Sequence, residues 1–381
     1  MNVQGDRVRL GVIGCGMVSD SYLQTLQRFD HVAFAACADM EPDRARRVAA
    51  EYGFGRACSV DELVRGNDTD LVLNLTIPAV HAELNLAALD GGKHVYSEKP
   101  LGITLQEAQA VLQRAADGGL RVGCAPDTFL AGGHQHCRQL IEQGAVGRLV
   151  AAFGAVAGHG PDAYHANPHF FYEKGAGPLL DQGVYVITAL LPLFGRVKTV
   201  SARAQVGITD RTVRTEPRFG EKIDVQTPTH LVCALEFEAG GLANLMISWE
   251  IWASKLPLME VYGTEGTIRL PHWNHYEAEF DLYRQEPDGG AWQTITTERP
   301  YAAGSWRGLG VADMAAALLS GRPHRASGER ANHVLEIMAA LVHSADTGAP
   351  VAVTTPYTKP SPFPANLAEC ELDHLPASRL R

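Results

Sequence analysis

Several signals that assign a protein to a special class are missing from this chain of 381 residues. Its seven cysteines are scattered and form no CxxC pair, which argues against a zinc ribbon or a disulfide scaffold. No apolar run approaches the roughly 18 residues that a membrane-spanning helix needs. No basic segment followed by an apolar stretch precedes the first candidate strand. We therefore expect a cytoplasmic protein that does not enter a membrane.

An excess of positive charge is missing as well. Lys and Arg number 33 against 43 Asp and Glu, which gives a net charge of −10 at pH 7. This balance disfavours a broad phosphate-binding surface, so we predict no nucleic-acid partner. The hydrophobic share of 46% is ordinary for a globular protein, and the length is sufficient for two domains.

Candidate strands and helices alternate over the first third of the chain. The strands are the short aliphatic runs RVRLGVI, HVAFAACAD, DLVLNLTIP, HVYSEKP and RVGCAP. The helix after HVYSEKP begins with a capping box, in which Thr104 is the N-cap and Glu107 lies three residues later. This alternation predicts βαβ units and a doubly wound parallel sheet, an α/β domain of the Rossmann type over residues 1–126.

The pattern changes after Pro126. Residues 197–297 contain long candidate strands joined by turn residues, which predict a mainly antiparallel sheet. A helix is predicted over LLDQGVYVITALLPLFG, and further helices over 309–319 and 327–343. We therefore predict an α+β second domain over residues 127–381.

A glycine-rich turn joins the first strand to the first helix. Gly14 and Gly16, followed by Ser19, give the pattern G-x-G-x-x-S. The first glycine permits the tight turn and the second lets the backbone approach a pyrophosphate. The helix that begins at Met17 and Val18 then offers N–H groups and a positive dipole end to the phosphates. We predict a dinucleotide site here, with Ser19 as a small substitute for the third glycine.

Asp39 ends the second candidate strand, 23 residues after Gly16. A carboxylate at this place accepts hydrogen bonds from the adenosine ribose and repels a 2′-phosphate. The next residue is Met40 rather than an arginine that could bind such a phosphate. NAD is therefore the predicted cofactor, and Arg44, Arg46 and Arg47 leave NADP as the less favoured alternative.

Four segments together resemble the Gfo/Idh/MocA family of sugar and cyclitol oxidoreductases over nearly the whole chain. They are GVIGCGMVSDSYLQTL, TIPAVHAEL, HVYSEKPLGIT and GPLLDQGVY. The EKP motif at the end of a strand is far more specific than the glycine turn. The resemblance implies an N-terminal Rossmann domain and a C-terminal domain with a large open sheet, in agreement with the pattern above.

The resemblance also implies roles for residues of the first domain. It places Lys99 of EKP between nicotinamide and substrate, Glu98 beside the nicotinamide ribose, and Pro100 after a cis peptide bond. A lysine at the carboxyl end of a strand can donate to a substrate oxygen and stabilise charge there. Further cofactor contacts are implied in the segment after the third long strand, at Thr76, Ile77, Pro78 and His81. His81 could equally be an ordinary helix-capping or surface histidine.

Two residues of the second domain complete the implied site. Asp181 and Tyr185 lie four residues apart, so they share one face of the predicted helix. Family members commonly carry His where this chain has Tyr185, and an acid where it has Thr188; some sugar oxidoreductases of the family carry Tyr. A tyrosine acts as base beside a cation, which Lys99 supplies. If Tyr185 is instead a buried structural aromatic, Lys99 is itself the acid/base.

A loop rich in histidine and aromatic residues precedes Asp181. Polar rings and aromatic faces over a cleft suit a sugar, and we predict His165 and Tyr172 as substrate contacts. His134 and His136 are alternate positions that face apart on a helix, so no metal site is predicted.

The sequence thus predicts an NAD(H)-dependent dehydrogenase or reductase acting on a secondary alcohol of a sugar, glycoside or cyclitol. Two alternatives stay open: an NAD-retaining glycoside hydrolase or epimerase on the same fold, and a catalytically inactive NAD-binding homologue. The strands of the second domain, including LMISWEIWA, are more apolar than one covered face requires. We therefore expect a homodimer or homotetramer formed by sheet packing.

Overall fold

The computed structural model describes residues 5–373, and these residues group into two compact units. The first unit contains residues 5–132, 298–332 and 360–373, and the second contains 133–297 and 333–359. The predicted boundaries, 1–126 and 127–381, treat the second domain as one continuous segment. They differ from the structure at 298–332 and 360–373, which belong to the first unit.

Strands and helices alternate in the first unit as far as residue 124. They are β1 Val8–Ile13, α1 Met17–Leu26, β2 Val32–Ala38, α2 Pro42–Tyr52, β3 Arg56–Cys58, α3 Val60–Arg65, β4 Leu71–Asn74, α4 His81–Asp90, β5 His94–Ser97, α5 Leu105–Asp117 and β6 Val122–Cys124. The strands form one parallel sheet in the order β3-β2-β1-β4-β5-β6. The predicted doubly wound sheet is confirmed, as is the capping box of Thr104 and Glu107.

The centre of this sheet is dry because helices cover both faces of a parallel sheet. Val8, Leu10 and Val12 of β1 have no exposed surface. β1 pairs with β2 on one side and with β4 on the other, so the strand order reverses direction at β1. Ligands of open α/β sheets bind in the crevice at such a reversal, beyond the carboxyl ends of the strands.

The later chain returns to the first unit through helix α8, Leu309–Ser320. The buried carboxylate of Asp127 accepts hydrogen bonds from the N–H groups of Gly308 and Gly310, at 3.1 and 2.8 Å, and so holds the N-terminus of α8. A β-carbon on Gly310 would lie 2.2 Å from the hydroxyl oxygen of Tyr96, so this close approach requires glycine. The hydrophobic periodicity of the sequence predicts this helix, but it does not show which sheet the helix packs against.

The second unit is built on a nine-stranded mixed sheet. After α6 Gly132–Glu142 come β7 Leu149–Ala157, α7 Val184–Phe194, β8 Val197–Gln205, β9 Arg211–Thr212, β10 Lys222–Ile223, β11 His230–Phe237, β12 Leu242–Ser248, β13 Met259–Gly263, β14 Gly266–Arg269, β15 Glu279–Arg284 and β16 Ala291–Thr296. Helix α9, Gly328–Thr347, begins in the first unit and continues into the second, where β17 Val351–Ala352 follows it. The sheet order is β16-β15-β14-β13-β7-β12-β11-β8-β17, and β9 pairs separately with β10. Its pairs are antiparallel except β7 with β12, which confirms the predicted mainly antiparallel sheet.

One face of the large sheet is covered by α7, of which every residue is buried. A β-carbon on Gly154 of β7 would lie 2.5 Å from Val186 of α7, so the helix packs directly on the strand backbone. On the strands β11 and β12, buried residues alternate with exposed ones, which include Val232 and Leu242. Of the helices within residues 5–373, none is both long and apolar enough to cross a membrane.

Candidate functional site

The predicted cofactor residues of the first unit follow the carboxyl ends of neighbouring parallel strands. Gly14 follows β1, Asp39 follows β2, Thr76 lies two residues after β4, and Glu98 follows β5. Since the carboxyl ends of parallel strands share one edge of the sheet, these residues lie along the edge where the strand order reverses. The fold therefore brings together the residues that the sequence predicted to bind a dinucleotide.

The two glycines of the turn differ in what surrounds them. Gly14 has φ of +96°, and a β-carbon there would lie 2.8 Å from the carbonyl carbon of Leu75. A β-carbon on Gly16 would meet no atom within 4 Å. Gly14 is thus required by the turn itself, whereas Gly16 leaves open space beside the backbone.

That open space lies at the N-terminus of α1. Gly16 is the N-cap residue, and no side chain caps the helix. The first N–H groups of a helix bind anions and carry the positive end of the helix dipole. Ser19, at the third position of the motif, is fully buried and its hydroxyl donates to the carbonyl oxygen of Gly16 over 2.7 Å. This arrangement fits the pyrophosphate of a dinucleotide.

The carboxylate of Asp39 joins the end of β2 to the glycine turn. Its two oxygens accept hydrogen bonds from the backbone N–H groups of Cys15, at 2.7 Å, and Glu41, at 2.8 Å. A carboxylate has about four acceptor positions, so Asp39 retains capacity for a ribose hydroxyl. The sequence placed Asp39 at this edge but gave no sign of its bond to the turn.

Glu98 is buried and held from several sides. The hydroxyl of Tyr22 donates to Oε1 over 2.7 Å, and the backbone N–H of Lys99 donates to Oε2 over 2.8 Å. The guanidinium of Arg307 lies 3.7 Å from Oε1. Burial and the charge of Glu98 raise the pKa of Tyr22 well above its usual value, so its hydroxyl remains a donor. The Lys99–Pro100 peptide bond is cis, as the resemblance implies.

Sequence reasoning missed Tyr22 and Arg307. Tyr22 has the helical spacing of a core residue, and its polar contact requires the tertiary fold. Arg307 lies more than 200 residues after Glu98 and reaches it only because the chain returns to the first unit.

His81 joins the two loops that follow β4 and β5. Its ring is fully buried, with Nε2 2.9 Å from the carbonyl oxygen of Thr76 and Nδ1 2.7 Å from that of Pro100. The predicted cofactor contact of this side chain is therefore replaced by a structural one, because both ring nitrogens face backbone carbonyls. Ile77 is 67% exposed and Pro78 is also exposed. These two remain accessible at the cofactor edge.

In the second unit, Asp181 lies in a π-helical turn. The turn spans Leu179–Gly183 and leads directly into α7, which carries Tyr185. The sequence predicted one regular α-helix, and the spacing argument for Asp181 and Tyr185 assumed its geometry. The i→i+5 hydrogen bonds of a π-turn wind the chain more loosely, and such turns occur frequently at functional sites. The expectation of a simple shared helix face is corrected accordingly.

Aromatic residues surround this turn. Tyr185 is 5% exposed and its ring centroid lies 5.8 Å from that of Trp273. The indole N–H of Trp249 donates to Oε1 of Gln182, the residue after Asp181, over 2.9 Å. The side chain of Trp249, the residue after β12, thus fixes the position of the turn.

The histidine-rich loop is anchored by a buried ion pair. Arg211 donates to Asp162 over 2.9 Å and to the carbonyl oxygens of His159, at 2.7 Å, and Trp249, at 2.6 Å. The hydroxyl of Tyr172 donates to the same Asp162 oxygen over 2.5 Å. Both charged side chains of the pair are almost completely buried. No sequence pattern distinguished Arg211 or Asp162 from other charged loop residues.

This anchor corrects one predicted substrate contact. Tyr172 has no exposed surface, and its ring packs against Trp249 and under the Arg211 guanidinium. It is a structural residue of the loop because its polar group is already bonded to Asp162. His165 is half-buried beside Phe170 and Phe171, and its Nδ1 accepts from the N–H of Asn167 over 3.0 Å. Within residues 5–373, no three His, Cys, Asp or Glu side chains form a group able to hold a metal ion.

Comparison with known proteins places these features in a family. Residues 8–125 match the model described as "Oxidoreductase family, NAD-binding Rossmann fold", and residues 134–269 match that of the GFO/IDH/MocA C-terminal domain. Inositol 2-dehydrogenase 3 of Saccharopolyspora erythraea is 28% identical over 269 residues, 69% of this chain and 73% of that protein. D-xylose 1-dehydrogenase (NADP(+)) 2 of Haloferax volcanii is 26% identical over 90% of this chain and 98% of its own length.

Another relative matches over a shorter segment. The 1,5-anhydro-D-fructose reductase of Ensifer adhaerens is 32% identical over 145 residues, which are 38% of this chain and 44% of that protein. Among solved structures, levoglucosan dehydrogenase in complex with NADH and L-sorbose superposes with a TM-score of 0.80 at 22% identity, covering 92% of this chain and 99% of the other. That structural likeness shows the fold. With both family models matched, the chain belongs to the Gfo/Idh/MocA family and is an oxidoreductase with an NAD-binding Rossmann fold.

Proposed function

We propose that this oxidoreductase transfers a hydride between NAD(H) and a secondary alcohol of a sugar, glycoside or cyclitol. The observation that carries the proposal is the position of Lys99, two residues beyond the end of β5 on the sheet edge that also holds the glycine turn. The lysine lies just after the carboxyl end of a parallel strand, which is where catalytic side chains of α/β enzymes lie. The names of the inositol and xylose dehydrogenase relatives favour a polyhydroxylated substrate.

In the proposed reaction, Lys99 and Tyr185 form the acid/base pair. The ring hydroxyl loses its proton to the phenolate oxygen of Tyr185, a form that the positive charge of Lys99 favours, and the carbon–oxygen single bond becomes a carbonyl. NAD, when bound, accepts the hydride from that carbon. Asp181 holds the neighbouring hydroxyl groups through charge-assisted hydrogen bonds. His165 contributes a further polar contact from the loop.

We also propose roles for the cofactor-binding residues. Gly14, Gly16, Met17 and Val18 hold the pyrophosphate through the turn and the open end of α1. Thr76, Ile77 and Pro78 lie against the cofactor beyond β4. Glu98 binds the nicotinamide ribose with acceptor capacity that Tyr22 and Lys99 leave open.

NAD is the proposed cofactor in preference to NADP. Asp39 presents its negative charge where a 2′-phosphate would lie, and Met40 beside it carries no charge. Two arginines of α2 are paired with acids of the same helix, Arg46 with Asp43 and Arg47 with Glu51. These pairs reduce the positive charge available to a 2′-phosphate.

Two broader proposals concern the setting of the enzyme. All seven cysteines are free thiols, as in proteins of reducing compartments, and we place the enzyme in the cytoplasm.

The alternating exposed positions of β11 and β12 include Val232 and Leu242, which are 49% and 61% exposed. We propose that this sheet face packs against another copy in a homodimer or homotetramer. Sedimentation of a monomer at micromolar concentration would contradict the second proposal.

A substrate panel tests the proposed activity. NADH formation at 340 nm is followed with inositols, aldoses, anhydrosugars and methyl glycosides, each with NAD and with NADP. We expect NAD-dependent turnover of at least one of these classes and weaker turnover with NADP. Absence of turnover in both directions, with sugars and with their keto derivatives, would contradict the proposal.

A further inference from the structure

Trp252 is an exposed aromatic side chain held in a fixed orientation. It is 70% exposed, whereas Trp249 and Trp273 of the same unit are 1% and 5% exposed. Its ring lies flat on the imidazole of His159, with a centroid distance of 3.4 Å and an interplanar angle of 15°. Because one face of the indole is stacked on His159 and most of the side chain is exposed, much of the opposite face is accessible to solvent.

The parallel pair of strands β7 and β12 brings these two rings together. His159 lies two residues beyond the end of β7, and Trp252 lies four residues beyond the end of β12. The N–H of Ile251 donates to the carbonyl oxygen of Gly158 over 3.0 Å, which continues the contact past the strand ends. The carbonyl oxygen of His159 accepts from the buried Arg211. The stack is therefore fixed to the same anchor as the loop.

Trp252 follows, three positions along the chain, a residue that is bonded to the turn carrying Asp181. Trp249 donates its indole N–H to Gln182, the neighbour of Asp181. Trp252 is three positions after Trp249, so their Cα atoms are at most about 11 Å apart. A ligand of more than one ring is long enough to extend from the π-turn to the open face of Trp252.

A cation lies over part of this aromatic ring. The guanidinium carbon of Arg214 lies 5.0 Å from the centroid of the Trp252 ring. The backbone N–H of Arg214 donates to the carbonyl oxygen of Asp162 over 2.9 Å, and its Nε lies 4.0 Å from Oδ2 of the same residue. An accessible apolar face with a hydrogen-bond donor beside it matches a sugar ring, which has an apolar C–H face and hydroxyl groups around its rim.

We propose that Trp252 is a stacking platform for a second sugar ring, and that the substrate is a disaccharide or a longer glycoside. The inference rests on the proposed function, since it extends the same site by one ring. The ring that is oxidised lies at Asp181 and Tyr185, and the ring linked to it lies on Trp252, with Arg214 as hydrogen-bond donor to its hydroxyl groups.

Kinetics on paired substrates test the platform. The wild type, Trp252→Ala and Trp252→Phe are assayed with glucose and with its disaccharides cellobiose and maltose. Trp292→Ala is the control, because Trp292 is also exposed and has the guanidinium of Arg269 at the same distance of 5.0 Å. We expect Trp252→Ala to lower kcat/KM for the better disaccharide about tenfold through KM, as loss of one aromatic contact predicts, with glucose unchanged. Trp252→Phe should retain most of the activity.

Binding distinguishes failure of the platform from failure of the proposed function. Calorimetric titration of the NADH-loaded wild type and of Trp252→Ala with cellobiose and maltose needs no turnover. Trp252-dependent binding without turnover would support the platform and contradict the proposed function. Turnover with equal effects of Trp252→Ala on glucose and on disaccharides would overturn the platform alone, as would failure of both disaccharides to bind. A change of oligomeric state in Trp252→Ala would also overturn it, because a second copy would then cover Trp252.

Discussion

The hydroxyl of Tyr22 in α1 donates a hydrogen bond of 2.7 Å to Oε1 of the buried Glu98, the residue before Lys99. Through this bond the first helix, whose N-terminus is the proposed pyrophosphate site, also fixes the residue before the proposed catalytic lysine. The second oxygen of Glu98 holds the backbone N–H of Lys99. Tyr22 therefore links cofactor binding to the position of the EKP loop.

The variant Tyr22→Phe tests this link. It leaves Oε1 of Glu98 without its donor, and we expect a loss of about 2 kcal/mol in the free energy of unfolding, measured in urea. We also expect a several-fold increase in KM for NAD. Tyr52→Phe is the control, because Tyr52 donates to the half-buried carboxylate of Asp20 over 3.2 Å and its loss should cost less than about 1 kcal/mol. Equal effects of the two variants would contradict the link.

The variant Gly16→Ala tests cofactor binding at the glycine turn without a change in protein stability. A methyl group there meets no protein atom within 4 Å, and φ of −83° suits alanine, so stability should be unchanged. The same methyl group occupies the space proposed for the pyrophosphate, and we expect the Kd for NADH to rise about tenfold or more. Fluorescence titration with NADH measures this change. Unaltered affinity would show that the cofactor does not approach this turn.

Asp39→Asn tests the cofactor preference. The amide keeps one oxygen that can accept from the N–H of Cys15 and removes the charge that repels a 2′-phosphate. We expect KM for NADP to fall about tenfold, with a smaller change for NAD. Steady-state kinetics with both cofactors give the ratio. A wild type that already prefers NADP would contradict the assignment.

Stability at acid pH tests the buried His333 of the second unit. Its Nε2 accepts from the N–H of Val197, and its Nδ1 lies 2.9 Å from Oγ1 of Thr355. Burial lowers the pKa of His333 from 6.5 to about 4, although the charge of Glu336 acts in the opposite direction. Between pH 4 and pH 6.5 the unfolded chain binds more protons than the folded chain. The contribution of His333 to the free energy of unfolding is therefore complete above pH 6.5 and is lost as the pH falls towards 4.

We expect this group to contribute about 3 kcal/mol to the difference in unfolding free energy between pH 7 and pH 4. His333→Gln should remove that part of the pH dependence, whereas His343→Gln, at an exposed position, should leave it in place. Urea unfolding at both pH values measures the difference. An unchanged slope in His333→Gln would contradict a neutral buried imidazole.

Much of the fold and part of the site could be predicted from the sequence because the signals are local. Alternating strands and helices give the parallel sheet, and a strand, two glycines and a helix give the turn at Gly14. Strand ends on one edge then place Asp39 and Lys99 near that turn without further information. Each of these steps depends on segments that are short and close in the chain.

The rest depends on contacts between distant segments. Nothing local indicates that α8 packs on the first sheet, or that Arg307 reaches Glu98 from the far side of the chain. The burial of Tyr172 follows from its bond to Asp162 within a loop whose path is set by Arg211. The π-turn at Asp181 has the apolar pattern of an ordinary helix, so periodicity does not reveal it.

The most direct test of the proposed activity is the turnover of Lys99→Ala on whichever substrate the panel identifies, together with its affinity for NADH. Lys99 supplies proton-transfer and charge stabilisation in the proposed reaction, while the pyrophosphate is held elsewhere, by the glycine turn and α1. We predict a fall in kcat of about 10³-fold with the Kd for NADH little changed. A variant with near-normal kcat would contradict the account.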